Sequence, residues 1–132
     1  MVLTRNIASV TMDFDGVETL ALRPLAGADT ITVNDTTGTA LAVVDANLNA
    51  VTDTGDGAPD TVITNGTDAV DSVRVRRLGS QAAVGGIGAE TRVGGELALD
   101  TLRIQTLGGN DKVEVGDIWD LITPVVDLGA DE

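Results

Sequence analysis

Residues 18–45 realign onto residues 100–127 without a gap, an offset of 82 positions. Glu18-Thr19-Leu20-Ala21-Leu22 answers Asp100-Thr101-Leu102-Arg103-Ile104, and L-A-G-A-D-T-I-T-V from position 25 answers L-G-G-N-D-K-V-E-V from position 107. Ten of the 28 aligned positions are identical, where ordinary residue usage would give roughly two. A fixed internal period means a chain built from recurring supersecondary units. A residue's place in the repeat must therefore be explained before any special chemistry is assigned to it.

A smaller unit recurs inside the long one: an acidic residue, any residue, then two apolar residues one apart. It stands at Glu18, Asp29, Asp60, Asp71, Asp100 and Asp111, with eleven residues between 18 and 29, 60 and 71, and 100 and 111. Apolar residues alternating with Thr, Arg or Glu are the period-two signature of a strand with one buried face. Gly, Asn and Asp between the strands, as in L-G-G-N-D and T-N-G-T-D, are turn chemistry. Leu41, Val44, Leu48 and Val51 have helical spacing, but Pro124 replaces Ala42 in the second copy and would break a helix interior. Strands are therefore predicted over 41–45 and 125–128. Trp119 aligns with Thr37 and has no aromatic counterpart, so it is expected to plug a gap or cap an exposed end.

Aromatic residues are 2% of the chain against 42% hydrophobic residues, so Val, Leu, Ile and Ala must supply the burial. Small and β-branched side chains at that density suit thin, stacked sheets. The expectation is an all-β chain, residues 1–132 forming a single repeat-built domain. The favoured architecture is a parallel β-solenoid of short stacked strands, β-helix-like or β-roll-like. The alternative is a pair of tandem β-sandwich modules.

Gly108-Gly109, Asp111 and Val113, with Gly27, Asp29 and Ile31 in the first copy, resemble half of the glycine-rich nonapeptide of hemolysin-type (RTX-like) proteins, G-G-x-G-x-D-x-U-x. The third glycine of that pattern is Asn110 or Ala28 here, and the nonapeptides are not in unbroken tandem. The resemblance implies calcium-loaded β-rolls in a large bacterial secreted or surface protein. Calcium wants six to eight oxygens, which carboxylates, Asn amides and turn carbonyls provide. The expected ligands are Asp29, Asp111, Asn110, Asp45, Asn47 and Asp127. Asp45, Asn47 and Asn49 alternate like the first ligands of an EF-hand, but Ala50 stands where that loop needs glycine and no Glu follows at its twelfth place. The competing role for Asp29 and Asp111 is turn formation, with the carboxylate accepting backbone N–H groups before a strand.

The formal net charge of −13 argues against nucleic acid, whose phosphates need basic residues, and against anionic membrane surfaces. No apolar run approaches a membrane span and the first sixteen residues carry no signal-type apolar segment, so no membrane insertion is expected. With no Cys and no His, disulfides, thiolate metal sites and the common nucleophile–base pairs are all missing. A carboxylate-pair glycosidase would need residues that turn positions already explain, so no catalytic residue is expected. Arg74 and Arg76 alternate on one strand face and are expected to pair with neighbouring carboxylates.

The functional expectation is a structural, adhesive or assembly module of an extracellular or cell-surface bacterial repeat protein, stabilised by Ca2+. Its partners would be neighbouring repeats or further copies of itself joined end to end. The alternatives are a metal-independent filament or surface-layer subunit and, more remotely, a glycan-active β-helix enzyme.

Overall fold

The computed structural model describes residues 1–5, 10–95 and 97–130. Twelve strands lie among them: β1 (Val2–Arg5), β2 (Val10–Asp13), β3 (Thr19–Leu22), β4 (Thr30–Val33), β5 (Val43–Asn47), β6 (Thr61–Asn65), β7 (Ser72–Leu78), β8 (Gln81–Gly85), β9 (Glu90–Gly94), β10 (Thr101–Gln105), β11 (Lys112–Val115) and β12 (Thr123–Asp127). No helix occurs among the described residues, and the expected 41–45 strand is found at Val43–Asn47, as β5. Each acidic-x-apolar-x-apolar unit leads into one strand, β3, β4, β6, β7, β10 or β11.

The strands form three sheets. β1 and β2 make an antiparallel pair; β12-β10-β6-β4 is a wholly parallel sheet; β11-β7-β8-β9-β5-β3 is mixed. Apolar rows run across the parallel sheet in register, Ile31–Val62–Leu102–Pro124 and Val33–Thr64–Ile104–Val126. The mixed sheet answers with Leu20–Val44–Thr91–Val84–Val75–Val115. Val62, Leu102 and Ile104 of one sheet share a core cluster with Val73, Val75, Val84 and Val93 of the other, and the loop residues Leu48, Leu97, Ile118 and Ile122 fill it out. From β3 to β12 the chain passes from one sheet to the other at every step but β7–β8 and β8–β9, so the two sheets share one interior.

Pro124 lies inside β12, an edge strand. Thr123 donates its N–H to the Asp100 carbonyl at 3.2 Å. Alternate residues of a strand face the same side, so the Pro124 nitrogen faces the free side and costs no ladder bond.

The expected parallel β-solenoid does not form, because the six-stranded sheet is mixed. The reason is local: Leu78 and Gln81 face each other across a two-residue turn, Gly79-Ser80, with Gly79 at φ 63°. A glycine at the first central place suits the hairpin turn whose twist matches the strands. β8 therefore runs back beside β7, and a second reversal through 86–89 returns the chain as β9. Tandem sandwich modules do not form either, since β4 and β6 share one sheet with β10 and β12. The repeat is present with a twist: β3 and β5 lie in the mixed sheet and β4 in the parallel one, whereas β10 and β12 lie in the parallel sheet and β11 in the mixed one. The 82-residue correspondence exchanges the two sheets.

Candidate functional site

The repeat is most exact in its turns. Leu25 (φ 81°) and Gly27 (φ 107°) precede Asp29; Leu107 (φ 70°) and Gly109 (φ 111°) precede Asp111. Both turns take the same left-handed steps, although one of them holds leucine, for which that region is strained. Gly109 has no choice: a Cβ there would sit 2.5 Å from the Ala69 carbonyl oxygen. Each turn ends by presenting an aspartate at the mouth of a strand.

Those aspartates form hydrogen-bonded columns across the strands. The Asp29 N–H donates to Asp60 Oδ1 at 2.8 Å, and the Asp60 N–H donates to Asp100 Oδ1 at 2.9 Å. In the mixed sheet the Asp71 N–H donates to Asp111 Oδ1 at 2.8 Å. Asp71 also gathers its own turn, its Oδ2 accepting the Thr67 N–H at 2.8 Å. Asp56 joins the first column from the 48–60 loop, accepting the Gly27 N–H at 2.7 Å and the Ala58 N–H at 2.8 Å. A carboxylate in such a place replaces the backbone carbonyl that a strand would otherwise need to extend the ladder by one residue.

The columns concentrate negative charge. Asp60 and Asp100 are 2% and 3% exposed. Burial pushes the Asp60 carboxyl above the ordinary carboxylate value; the Asp29 N–H opposes the rise, and the charges of Asp100, Asp56 and Asp29 add to it. Burial likewise raises Asp100, the N–H of Asp60 opposing and Asp56 adding. The other carboxylates of the same column thus add to what burial does first.

The six expected calcium ligands are dispersed. Asp29 lies at the β4 edge of the parallel sheet and Asp111 at the β11 edge of the mixed sheet. Asp45 Oδ1 accepts from Gln81 at 3.1 Å, and Asn47 Oδ1 accepts the Asn49 N–H at 3.0 Å. Asp127 accepts the Gly129 N–H at 3.2 Å and stands 3.8 Å from Arg103, while Asn110 is exposed. Among the described residues no group of three or more His, Cys, Asp or Glu is arranged to hold a metal ion. Asp29 Oδ2 and Asp111 Oδ2 are each buried without a hydrogen-bond partner. Each of these free oxygens is one of the six to eight that calcium wants.

The basic residues are paired as the alternation predicted. Arg74 meets Glu114 at 3.1 Å, and Arg76 and Arg92 both meet Glu90 at 2.7 Å. Arg77 bonds Asp120 and Arg23 bonds Asp53. Trp119 plugs no gap, being 68% exposed in the turn between β11 and β12. A depression of about 440 Å³ forms an open bowl between turns, lined by Asp68, Gln105, Leu107, Gly108, Asp127 and Gly129.

Asp60 and Asp100 head two of the acidic units in the sequence, but the 82-residue offset pairs neither of them with the other or with Asp56. A second offset carried the signal: D-T-V at 60 recurs as D-T-L at 100, and D-S-V at 71 as D-K-V at 111, each 40 residues on. No protein-family model, curated protein or solved structure matches this chain.

Proposed function

We propose that the chain is a structural module that joins neighbouring copies of its repeat through open sheet edges. One observation carries this reading: among the described residues both sheets end at strands with a free side, β4 and β12 in one and β3 and β11 in the other, and the aspartate columns run out to β4 and β11. Unpaired edges are templates for further strands. Natural sheets blunt them, and β12 does so with Pro124. β4 and β11 carry no proline. The secreted or cell-surface setting rests on the resemblance to hemolysin-type repeats.

The expected strength follows from the size of an edge. A strand of five residues is about 17 Å long, so a contact through one edge falls below the roughly 1,000 Å² that a stable interface needs. Association should be weak between free chains and strong where copies are tethered. Sedimentation of the wild-type chain from micromolar to millimolar concentration tests it. A mass that rises with concentration supports the reading, and a strict monomer throughout sinks it.

A second reading, calcium stabilisation, is favoured by the orphaned Oδ2 atoms of Asp29 and Asp111. Water and turn carbonyls would have to supply the rest of a shell there. It is tested by comparing calcium with magnesium, as set out below.

A further inference from the structure

We infer that the free edge of β11 is the seat for one particular kind of strand: a parallel strand of the β6 type, Asp-Thr-Val-Ile-Thr, presented by another copy of the repeat. The inference rests on the assembly reading above and specifies its partner. β11 is the 82-residue counterpart of β4, and β4 is covered on one side by β6.

The two strands agree on which side is meant. Thr61 donates its N–H to the Asp29 carbonyl at 2.9 Å, so residues 29, 31 and 33 turn their peptide groups toward β6. Their counterparts are 111, 113 and 115. Lys112 and Gly116 donate to the carbonyls of Asp71 and Val75, at 2.9 and 2.8 Å. Residues 112, 114 and 116 therefore face β7, and the alternation of a strand sends 111, 113 and 115 to the free side. The edge that β4 uses for β6 is thus the edge that β11 leaves open.

The chemistry of the occupant follows position by position. The Asp29 N–H is received by the Asp60 carboxylate, so the Asp111 N–H calls for an aspartate directly before the incoming strand. Ile31 faces Val62 and Val33 faces Thr64, so Val113 and Val115 call for a β-branched residue two and four places after that aspartate. Both valines are only partly buried at the margin of the core cluster, and the incoming strand would complete their cover. A strand lacking the aspartate would leave the Asp111 N–H without its acceptor at a site closing to water, which disfavours it.

Cysteine chemistry gives a clean test, because the chain has no cysteine of its own. Thr30 faces Thr61 in the β4–β6 pair, so Lys112 should face the same threonine of an incoming strand. Paired Cα atoms at sheet spacing are within disulfide reach. The protein carrying Lys112→Cys is mixed, in a glutathione buffer, with a peptide spanning residues 57–66 and carrying Thr61→Cys. Mixed disulfide should form at least ten times faster than with a scrambled peptide, and about ten times faster than with the same peptide carrying Asp60→Ala. Equal rates with the scrambled peptide, or equal reaction of the Thr61→Cys peptide with protein carrying Thr19→Cys on the β3 edge, would overturn the inference. So would preferential self-coupling of a Thr30→Cys/Lys112→Cys protein over peptide capture, since β4 of a second copy would then be the occupant. Each of these failures leaves the sedimentation result standing, whereas a strict monomer there removes the assembly reading itself.

Discussion

Asp60 hands its backbone N–H to the carboxylate of Asp100, 40 residues away and one strand over, at 2.9 Å, while its own carboxylate receives the N–H of Asp29 at 2.8 Å. Asp60 is donor through its main chain and acceptor through its side chain, and the Asp29 side chain at the end of the column keeps an unpaired Oδ2. The column can therefore be lengthened by any strand that brings another aspartate in register. It also holds three like charges at strand spacing, which the N–H groups only partly offset.

The column separates two substitutions at position 60. Asp60→Ala removes the acceptor of a part-buried N–H and should lower stability by about 1–3 kcal/mol. Asp60→Asn keeps an oxygen facing Asp29 and removes one charge from the column, so it should be neutral or stabilising at pH 7. Urea unfolding at neutral pH reads both. An asparagine variant as damaged as the alanine one would mean that the charge itself is required.

Acid should act in two stages of opposite sign. The Asp60 and Asp100 carboxyls are raised in the fold, so their contribution is present at low pH and lost as pH rises through their folded values. Acidification from neutral toward the carboxylate range should therefore raise the melting temperature, helped by relief of the −13 net charge. Glu90 is lowered chiefly by its bond to Arg92, against burial, with Arg76 adding; Glu114 is lowered by Lys112 and then Arg74. Their contributions are present above the ordinary carboxylate values and lost as pH falls through their lowered ones. A melting temperature that peaks on the acid side of neutrality and then falls is expected. Asp60→Asn with Asp100→Asn should flatten the rising limb, and Glu90→Gln should soften the fall; a curve that declines steadily from pH 7 contradicts the first stage.

Strained leucines offer a third measurement. Leu25 and Leu107 hold φ of 81° and 70° and are 38% and 45% exposed. Asparagine tolerates that region better than leucine, and the left-handed cost for an ordinary residue is about 1–2 kcal/mol. Leu107→Asn should raise the urea midpoint by an amount equivalent to about 0.5–1 kcal/mol after the lost apolar contact is subtracted. Leu107→Val, branched at Cβ, should lower it, and Leu25 should follow the same order. An asparagine variant weaker than wild type at both sites would show that the leucine side chains contribute more than their strain.

Much of this architecture was readable before the fold was known. The acidic-x-apolar-x-apolar unit located six strands, and Pro124 argued for strand over helix at 41–45, where β5 covers 43–47, because both signals act over a few residues. The mixed sheet was missed through a short signal that lay in plain view: V-R-V-R-R-L, Gly79-Ser80, then Q-A-A-V is two alternating runs around a hairpin dipeptide. A fixed period drew attention to equivalence between distant segments and away from this local reversal. Pairing partners were the hardest to read. The 82-residue offset relates β4 to β11, which lie in different sheets, whereas the hydrogen-bonded pairs β6–β10 and β7–β11 are 40 apart in the sequence. The aspartate column follows from pairing, so its members Asp60 and Asp100 looked like ordinary turn residues until the register was known.

Divalent cations decide between the two readings of Asp29 and Asp111. Ion screening of a −13 chain should stabilise it and assist association, and magnesium should do this as well as calcium at equal ionic strength. The carboxylates of Asp60, Asp100 and Asp111 already accept backbone N–H groups, which occupies lone pairs that a cation would need. Equal melting curves in the two ions are therefore expected, with Asp29→Asn and Asp111→Asn responding like wild type. A real calcium site would behave otherwise: at 100 times its dissociation constant it would add about 2.7 kcal/mol, a shift on the order of 10 °C for a domain of this size. A calcium-specific rise of that order, lost in Asp111→Asn and in Asp29→Asn but kept in Arg76→Ala, would establish calcium stabilisation at the orphaned Oδ2 atoms. It would also make the open ends of the columns metal sites as well as strand acceptors.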